Sequence, residues 1–230
     1  MSISAWLRAM IFGTFSLLLT ACDGGWEVAF REPFPAQAAD MAVFPARHQG
    51  VYTAADPGNS LCIGRTAVWR QELQTTTDSR HYFDSLGYKL RADSTYLDHH
   101  TLHYLHRVGT DSVRDSWLWT DTIFSISGER PGHLRRFQGR YYLNGTEDAQ
   151  TDTTEKWQVQ RLEIVGHHLR WQQLGTDTLR LGALAPGTVR YHRRNGISYF
   201  RLAPASPAEA RRIGRYEGLW EPAREYDRRH

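Results

Sequence analysis

Hydrophobic and polar residues alternate along most of the chain, from about residue 44 to residue 203. In residues 116–127, for example, Trp117, Trp119 and Ile123 fall on one side of a two-residue period. β-branched and aromatic residues dominate such segments, and turn-forming residues recur about every 8–12 positions. The pattern predicts a mainly β protein whose antiparallel meanders form a sandwich or a lipocalin-like barrel.

Two hairpins stand out within this region. Residues 188–194 and 197–202 flank Asn195-Gly196, a dipeptide that accepts the positive φ angles of a type I′ turn. Residues 162–165 and 168–173 flank Gly166-His167 in the same way. We therefore expect antiparallel strand pairs at both places.

A short repeat divides the β region. The stretch from Phe44 to Tyr52 places an aromatic residue, Gln-Gly and a tyrosine at the start of a strand series, and residues 137–141 do so again. We therefore expect one β domain over residues 44–203, built from two meanders at 44–130 and 134–203.

The chain after residue 203 changes character. Ser206, Pro207 and Glu209 stand at the N-cap, N1 and N3 positions of a capping box, which predicts a short helix. Residues 221–230 are highly charged, and we expect them to fray. Residues 204–230 are thus predicted to be a C-terminal helix and a charged tail.

The first 22 residues have the layout of a secretory signal. Arg8 precedes a largely apolar run over residues 11–19, and Leu19-Thr20-Ala21-Cys22 follows. The run is too short for a comfortable membrane span. The last four residues resemble the lipobox of bacterial lipoproteins, which implies removal of residues 1–21 and acylation of Cys22. An ordinary secretion signal with a chance cysteine is the alternative.

This resemblance implies a subcellular location and a lipid anchor. Residues 22–43 would be a tether with Pro33 and Pro35, and the lipid would hold the protein to a membrane of a Gram-negative-type cell envelope. Asp23, next to the cysteine, looks like an inner-membrane retention signal in some bacteria. Other lineages sort by different rules, and we expect the outer membrane in preference to the inner one.

The charge balance of the chain bears on whether it binds nucleic acid. The 28 Lys and Arg residues nearly balance the 25 Asp and Glu residues, and the arginines are scattered among acids. We therefore expect no nucleic-acid partner.

The two cysteines are Cys22 and Cys62, so lipidation of the first leaves the second unpaired and, we expect, buried. A Cys22–Cys62 disulfide is the rival arrangement.

Four histidines lie close together in the sequence. They are the only metal candidates, and we rank them low: His99, His100, His103 and His106. On a strand, His99 and His103 share one face and His100 and His106 the other, so one closed site would need another strand. We expect solvated or hydrogen-bonded histidines and no cofactor. Neither a Gly-x-Ser-x-Gly elbow nor a glycine-rich phosphate loop is present, and no catalytic residue is predicted.

Four short motifs are spread over the domain after the signal: Phe-Pro-x(4)-Gly-x-Tyr at residues 44–52, Gly-Arg-Tyr-Tyr-Leu-Asn at 139–144, Trp-Gln-Val at 157–159, and the Ser-Pro-x-Glu helix start. With these motifs the domain resembles small β-rich envelope lipoproteins of unknown function. The resemblance implies no catalytic residues. We hypothesise a non-enzymatic lipid-anchored protein whose β domain binds a partner, such as another envelope protein, or has a structural role.

Two other functions remain open. The eight tryptophans and eleven tyrosines could line a cavity, which would make the protein a lipocalin-like carrier of a small apolar ligand. An envelope hydrolase would need converging carboxylates or a Ser-His pair. A filled interior favours the binding protein, whereas a hollow interior favours the carrier.

Overall fold

The structure is a computed structural model that describes residues 27–56, 58–85, 93–98, 101–128, 131–146, 156–175, 178–181, 184, 187–194 and 197–229. These residues form a single 14-stranded sheet with a few short helices. The predicted mainly β class with a short C-terminal helix is confirmed. No helix among these residues is long and apolar enough to cross a membrane.

Most elements are short, and two strands are longer, with 13 and 14 residues. The strands are β1 (Glu27–Phe30), β2 (Gly50–Ala54), β3 (Asn59–Ile63), β4 (Ala67–Ser79), β5 (Asp93–Asp98), β6 (Thr101–Arg107), β7 (Ser112–Ser125), β8 (His133–Phe137), β9 (Arg140–Thr146), β10 (Trp157–Val165), β11 (His168–Gln173), β12 (Val189–Arg194), β13 (Ile197–Leu202) and β14 (Arg224–Arg228). The helices are α1 (Arg80–Ser85), α2 (Thr178–Leu181) and α3 (Pro207–Arg215), with 3-10 turns at Ala46–His48 and Glu217–Leu219.

The strands follow the order β12-β13-β1-β10-β11-β14-β2-β3-β4-β7-β6-β5, with β9 on the other side of β10 and β8 beside β9. Neighbours pair antiparallel, except that β1 runs parallel to β13. The sheet is therefore mixed, and it is not closed into a barrel. Both predicted hairpins form, as the pairs β12–β13 and β10–β11.

The larger core lies on one face of this curled sheet. The strands that contribute to it are β2, β3, β4, β7, β8, β9, β10, β11 and β14, together with Phe44. Its buried members are Phe44, Tyr52, Leu61, Ile63, Val68, Phe124, Leu134, Tyr141, Leu143, Leu162, Ile164, Leu169, Trp171 and Tyr226. The interior of the described sheet is thus filled by large side chains, many of them aromatic.

A second core lies on the opposite face of β9 and β10. Here β1, β13, α3 and the residues after it pack against Tyr142, Trp157 and Val159. The predicted capping box forms, since Glu209 N donates to Ser206 Oγ (3.2 Å) and Ala205 N donates to Glu209 Oε2 (2.6 Å). Local sequence therefore determines where α3 begins, and burial of Ala210 and Ile213 determines where it packs.

A buried arginine joins this second layer to the sheet. Arg161 on β10 is fully buried, and its Nε and Nη2 atoms both donate to Gln172 Oε1. Its Nη1 atom donates to the carbonyl oxygen of Gly214 (3.0 Å), and its Nη2 atom donates to Glu217 Oε2 (2.6 Å). The guanidinium also lies 4.6 Å from the centre of the Trp220 ring. The charge is paired and hydrogen-bonded, as a buried charge must be.

Residues on both sides of 44–203 also join the sheet. The expectation of a frayed C-terminal tail is wrong for residues 224–228, because β14 pairs with β11 on one side and β2 on the other. Within the predicted tether, β1 is a strand and Phe34 is buried. Asn144 holds this segment, accepting from Phe34 N (2.6 Å) and donating to Phe34 O (3.0 Å). The tether's first residues, including Cys22, lie outside the described residues, and the domain boundaries stay predictions.

The long antiparallel pair of strands β4 and β7 carries a projecting arm. Strand β3 pairs only with residues 68–72 of β4. Residues 73–79 of β4 therefore extend beyond β3 by about 23 Å, at about 3.3 Å per residue. We call residues 73–79 and 112–118, together with α1, β5 and β6, the arm. Phe83 of α1 packs on one face of it, against Leu105 and Val113.

Candidate functional site

The two sequence repeats meet at a single histidine. His48 ends the 3-10 turn beside β2, and its Nδ1 atom lies 2.6 Å from the hydroxyl of Tyr141. The hydroxyl of Tyr52 donates to the carbonyl oxygen of His48 at 2.9 Å. Both tyrosines are fully buried in the larger core, so they hold His48 in one place at the end of the sheet.

The protonation states at this place follow from burial and charge. Burial raises the pKa of the Tyr141 hydroxyl, despite two nearby arginines, so it keeps its proton and donates to His48 Nδ1. Burial lowers the pKa of His48, and the positive charges of Arg47, Arg136 and Arg228 lower it further. His48 is therefore neutral at pH 7 and carries its proton on Nε2, which has no hydrogen-bond partner among the described residues.

Three arginines surround this histidine. Arg228 donates to the carbonyl oxygens of Arg47 (2.9 Å) and Gln49 (2.8 Å), and the Arg136 guanidinium lies 5.4 Å from the centre of the Tyr141 ring. None of the three forms an ion pair with a carboxylate of the described residues. We call Arg47, His48, Arg136, Tyr141 and Arg228 the basic cluster. Such a group of cations is suited to binding an anion.

Sequence reasoning missed the basic cluster, although a signal was present. The repeat is fuller than an aromatic residue followed by Gln-Gly, since both copies read Arg-x-Gln-Gly-x-Tyr, at residues 47–52 and 136–141. The strands that bring the two copies together lie far apart in sequence. Only the fold therefore shows that their arginines and tyrosines converge.

The histidines that were considered as metal candidates do not converge on one site among the described residues. His99 and His100 lie outside the described residues, whereas His103 and His106 lie on β6 and point to opposite faces, as strand spacing predicts. His103 is more than nine-tenths buried, as is Asp115, and its Nδ1 atom lies 3.0 Å from both carboxylate oxygens. Its ring stacks on Trp117 at 4.9 Å. The pair is therefore a buried polar contact inside the arm.

The described ranges contain neither a cluster of metal ligands nor a reactive thiol. No group of three or more His, Cys, Asp or Glu residues there could hold a metal ion. Cys62 is a buried free thiol that donates to Gln71 Oε1 (3.2 Å), as expected for an unpaired cysteine. Burial raises the pKa of this thiol, although a hydrogen bond donated by the Trp69 side chain opposes the shift, so it stays protonated and unreactive at neutral pH.

The uncovered face of the arm carries exposed apolar side chains. Leu73 pairs with Leu118 across β4 and β7, and Leu102 lies one residue beyond the His103–Trp117 pair, beside Leu118. The exposed fractions are 51% for Leu73, 46% for Leu118, 45% for Leu102 and 54% for Tyr104. We call these four residues, with Thr75 and Ser116 between them, the open face.

Comparison with known proteins adds no assignment. No protein-family model, no curated protein and no solved structure matches this chain. The function must therefore be inferred from the residues themselves, and two places carry chemistry: the basic cluster and the open face.

Proposed function

We propose that this protein is a non-enzymatic lipoprotein of the cell envelope, anchored through Cys22, that binds a partner protein through the open face of its arm. The observation that carries the proposal is the row formed by Leu73, Leu118 and Leu102, each about half exposed. Contiguous exposed apolar side chains on a folded domain mark interaction surfaces.

The setting of this row supports a protein partner. Within the part of the chain that the structure describes, α1 covers one face of the four arm strands, and the leucines lie on the other face. Next to the leucines, Thr75 and Ser116 are small and uncharged, and their hydroxyls lie 3.3 Å apart. Arg114, which pairs with Thr77 and His106, lies farther along the same face. The leucine row itself carries no charged side chain, so it is complementary to an apolar protein surface rather than to a polyanion or a sugar.

The filled interior favours surface binding over internal carriage. Phe44, Tyr52, Tyr141 and Trp171 occupy the space in which a lipocalin-like protein would hold its ligand. One groove among the described residues lies outside that core, has a volume of about 280 Å³ and is lined by Phe30, Arg190, Leu202 and their neighbours. A small apolar ligand would therefore have to displace core side chains, which is costly.

The anchor is tested by mass spectrometry of the protein purified from membranes. We expect the chain to begin at Cys22 and to carry the added mass of acyl chains on that residue. The Cys22→Ser variant should leave the membrane fraction while keeping its fold by circular dichroism. An intact residue 1–21 segment, or an unmodified Cys22, would refute the anchor.

Partner binding is tested by photo-crosslinking in the native cell. A photoreactive residue replaces Leu118, and the matched control replaces Val165, which is 69% exposed on the β10–β11 hairpin away from the arm. We expect a crosslinked species of one defined mass from position 118 only, lost when Leu73→Ser is added. A product of twice the chain mass would mean that the face pairs with itself. Equal labelling at both positions would contradict the proposal.

A further inference from the structure

The basic cluster lies at the opposite end of β4 from the arm, so it serves a purpose separate from the open face. Two copies of the Arg-x-Gln-Gly-x-Tyr pattern build it, at residues 47–52 and 136–141. Both tyrosine hydroxyls bond to His48, one at the ring and one at the carbonyl oxygen. The cluster is therefore held by the core, although its cationic groups reach the surface.

No carboxylate among the described residues neutralises the positive charges of the basic cluster. Arg47 and Arg136 are exposed and donate no side-chain hydrogen bond to the described residues. Arg228 uses Nη1 and Nη2 to hold two backbone oxygens, and none of the three guanidinium groups has a carboxylate partner. Like charges held together repel one another, so a bound anion would stabilise the group.

We propose that the basic cluster binds a phosphate-type oxyanion, either free or as part of a larger headgroup. Three guanidinium groups exceed what a monocarboxylate would neutralise, and the arginine fork matches the geometry of phosphate oxygens. His48 adds one directed donor, because Tyr141 occupies Nδ1 and leaves the Nε2 proton available. The site lies at the surface, and its affinity should fall as salt rises.

Gly50 positions one of the three cations. Its φ of 145° lies in a region that side-chain-bearing residues rarely adopt. A Cβ atom there would also lie 3.1 Å from Nε of Arg228. Gly50→Ala should therefore displace Arg228 and weaken anion binding without changing the net charge.

The test observes His48 directly by NMR, using ¹³C-labelled histidine in the full chain in uncharged detergent micelles. Sodium phosphate is titrated at constant ionic strength, with sodium acetate as the carboxylate comparison. We expect phosphate to raise the pKa of His48 in a saturable manner, since a bound anion offsets the nearby positive charge. The His48→Gln variant identifies the signal.

Matched variants separate binding from general charge. Arg47→Gln and Arg136→Gln should each weaken phosphate binding about fivefold to tenfold. Arg211→Gln makes the same charge change on an exposed residue of α3 and should leave binding unchanged. Unaltered signals from the other histidines show that each variant is folded. Equal effects of acetate and phosphate, or wild-type binding by both cluster variants, would overturn the proposal.

The source of the anion is distinguished by two further ligands. Glycerol 3-phosphate represents a free phosphomonoester, and glycerophosphoglycerol represents the diester of a lipid headgroup. Either one binding at least as tightly as inorganic phosphate supports the site and identifies its class. The outcome does not depend on the open face, since Leu118→Ser should leave the phosphate titration unchanged.

Discussion

Arg161 offers the sharpest test of how the second layer is held to the sheet. Replacing it with methionine keeps most of the side-chain volume but removes the charge and every hydrogen bond that the guanidinium makes. We expect Arg161→Met to lower the free energy of unfolding by about 3 kcal/mol.

The magnitude follows from the groups left behind. Gln172 Oε1 loses both of the buried donors that Arg161 supplies, and an unsatisfied buried group costs about 1–3 kcal/mol. The carbonyl oxygen of Gly214 loses its shorter hydrogen bond but keeps the one from Arg140 Nη1 (3.3 Å), so its loss is smaller. Glu217 loses the shorter of its two arginine contacts, but it keeps Arg140 (3.6 Å) and its side chain is 54% exposed to water. Methionine itself needs no polar partner, which offsets part of the loss. For a chain of this size, about 3 kcal/mol corresponds to about 6–12 °C in Tm.

Urea unfolding of the full chain, followed by circular dichroism, measures this difference. Arg211→Met is the matched control on the exposed side of α3, and we expect it to stay within about 0.5 kcal/mol of the wild type. A loss below about 1 kcal/mol for Arg161→Met, or a loss equal to that of the control, would refute the reasoning. The buried network would then add nothing to stability.

Three further predictions concern pH and packing. Burial raises the pKa of Glu217, but the hydrogen bond and the charge of Arg161 outweigh burial, so the net pKa lies below the usual 4.5. The ionised carboxylate therefore stabilises the fold above about pH 4.5, and this contribution is lost as the pH falls further. Urea titrations at about pH 7 and about pH 3.5 should therefore show a smaller acid loss for Glu217→Gln than for the wild type. Burial and neighbouring arginines lower the pKa of His48 below 6.5, so the unfolded chain binds the proton more tightly and stability falls as pH drops below about 6.5. The His48→Gln variant should lose that part of the slope in unfolding midpoints measured across this range. At Gly132 a Cβ atom would lie 2.4 Å from an aromatic carbon of β7 and 2.6 Å from a backbone oxygen of β9, so Gly132→Ala should lower stability by about 1–3 kcal/mol in thermal unfolding. Gly145→Ala, which meets nothing within 4 Å, is its control.

Each of these has a clear contrary result. An acid loss in Glu217→Gln as large as that of the wild type would mean that the carboxylate pairing does not contribute. An unchanged pH slope in His48→Gln would show that its protonation is not linked to unfolding. Equal stabilities of Gly132→Ala and Gly145→Ala would show that the backbone near β7 moves without cost.

Sequence patterns were most successful where local forces decide the structure. The alternation in residues 116–127 predicted β7, Asn195-Gly196 predicted the β12–β13 hairpin, and Ser206-Pro207 predicted the start of α3. In each case a side-chain period or a cap suffices, because the residues that act are close neighbours in the chain. The strand spacing of His103 and His106 was correct for the same reason.

Local reasoning was least successful for segments whose structure depends on distant partners. Residues 224–228 read as a charged tail, yet they form a strand between β11 and β2 because Tyr226 fills the core and two partner strands supply the backbone hydrogen bonds. Residues 27–30 read as a tether, yet β1 pairs with β13. Neither partner can be identified from the period of so short a segment.

The sequence by itself determined the mainly β class, the hairpins and the cap of α3, because these depend on neighbouring residues. The lipid anchor at Cys22 stays a prediction from a short motif. The tertiary structure alone decided that the interior is filled, that one arm face is uncovered, and that two Arg-x-Gln-Gly-x-Tyr stretches converge on His48. Those features arise from pairing between strands far apart in the chain, and long-range pairing leaves little trace in a local pattern.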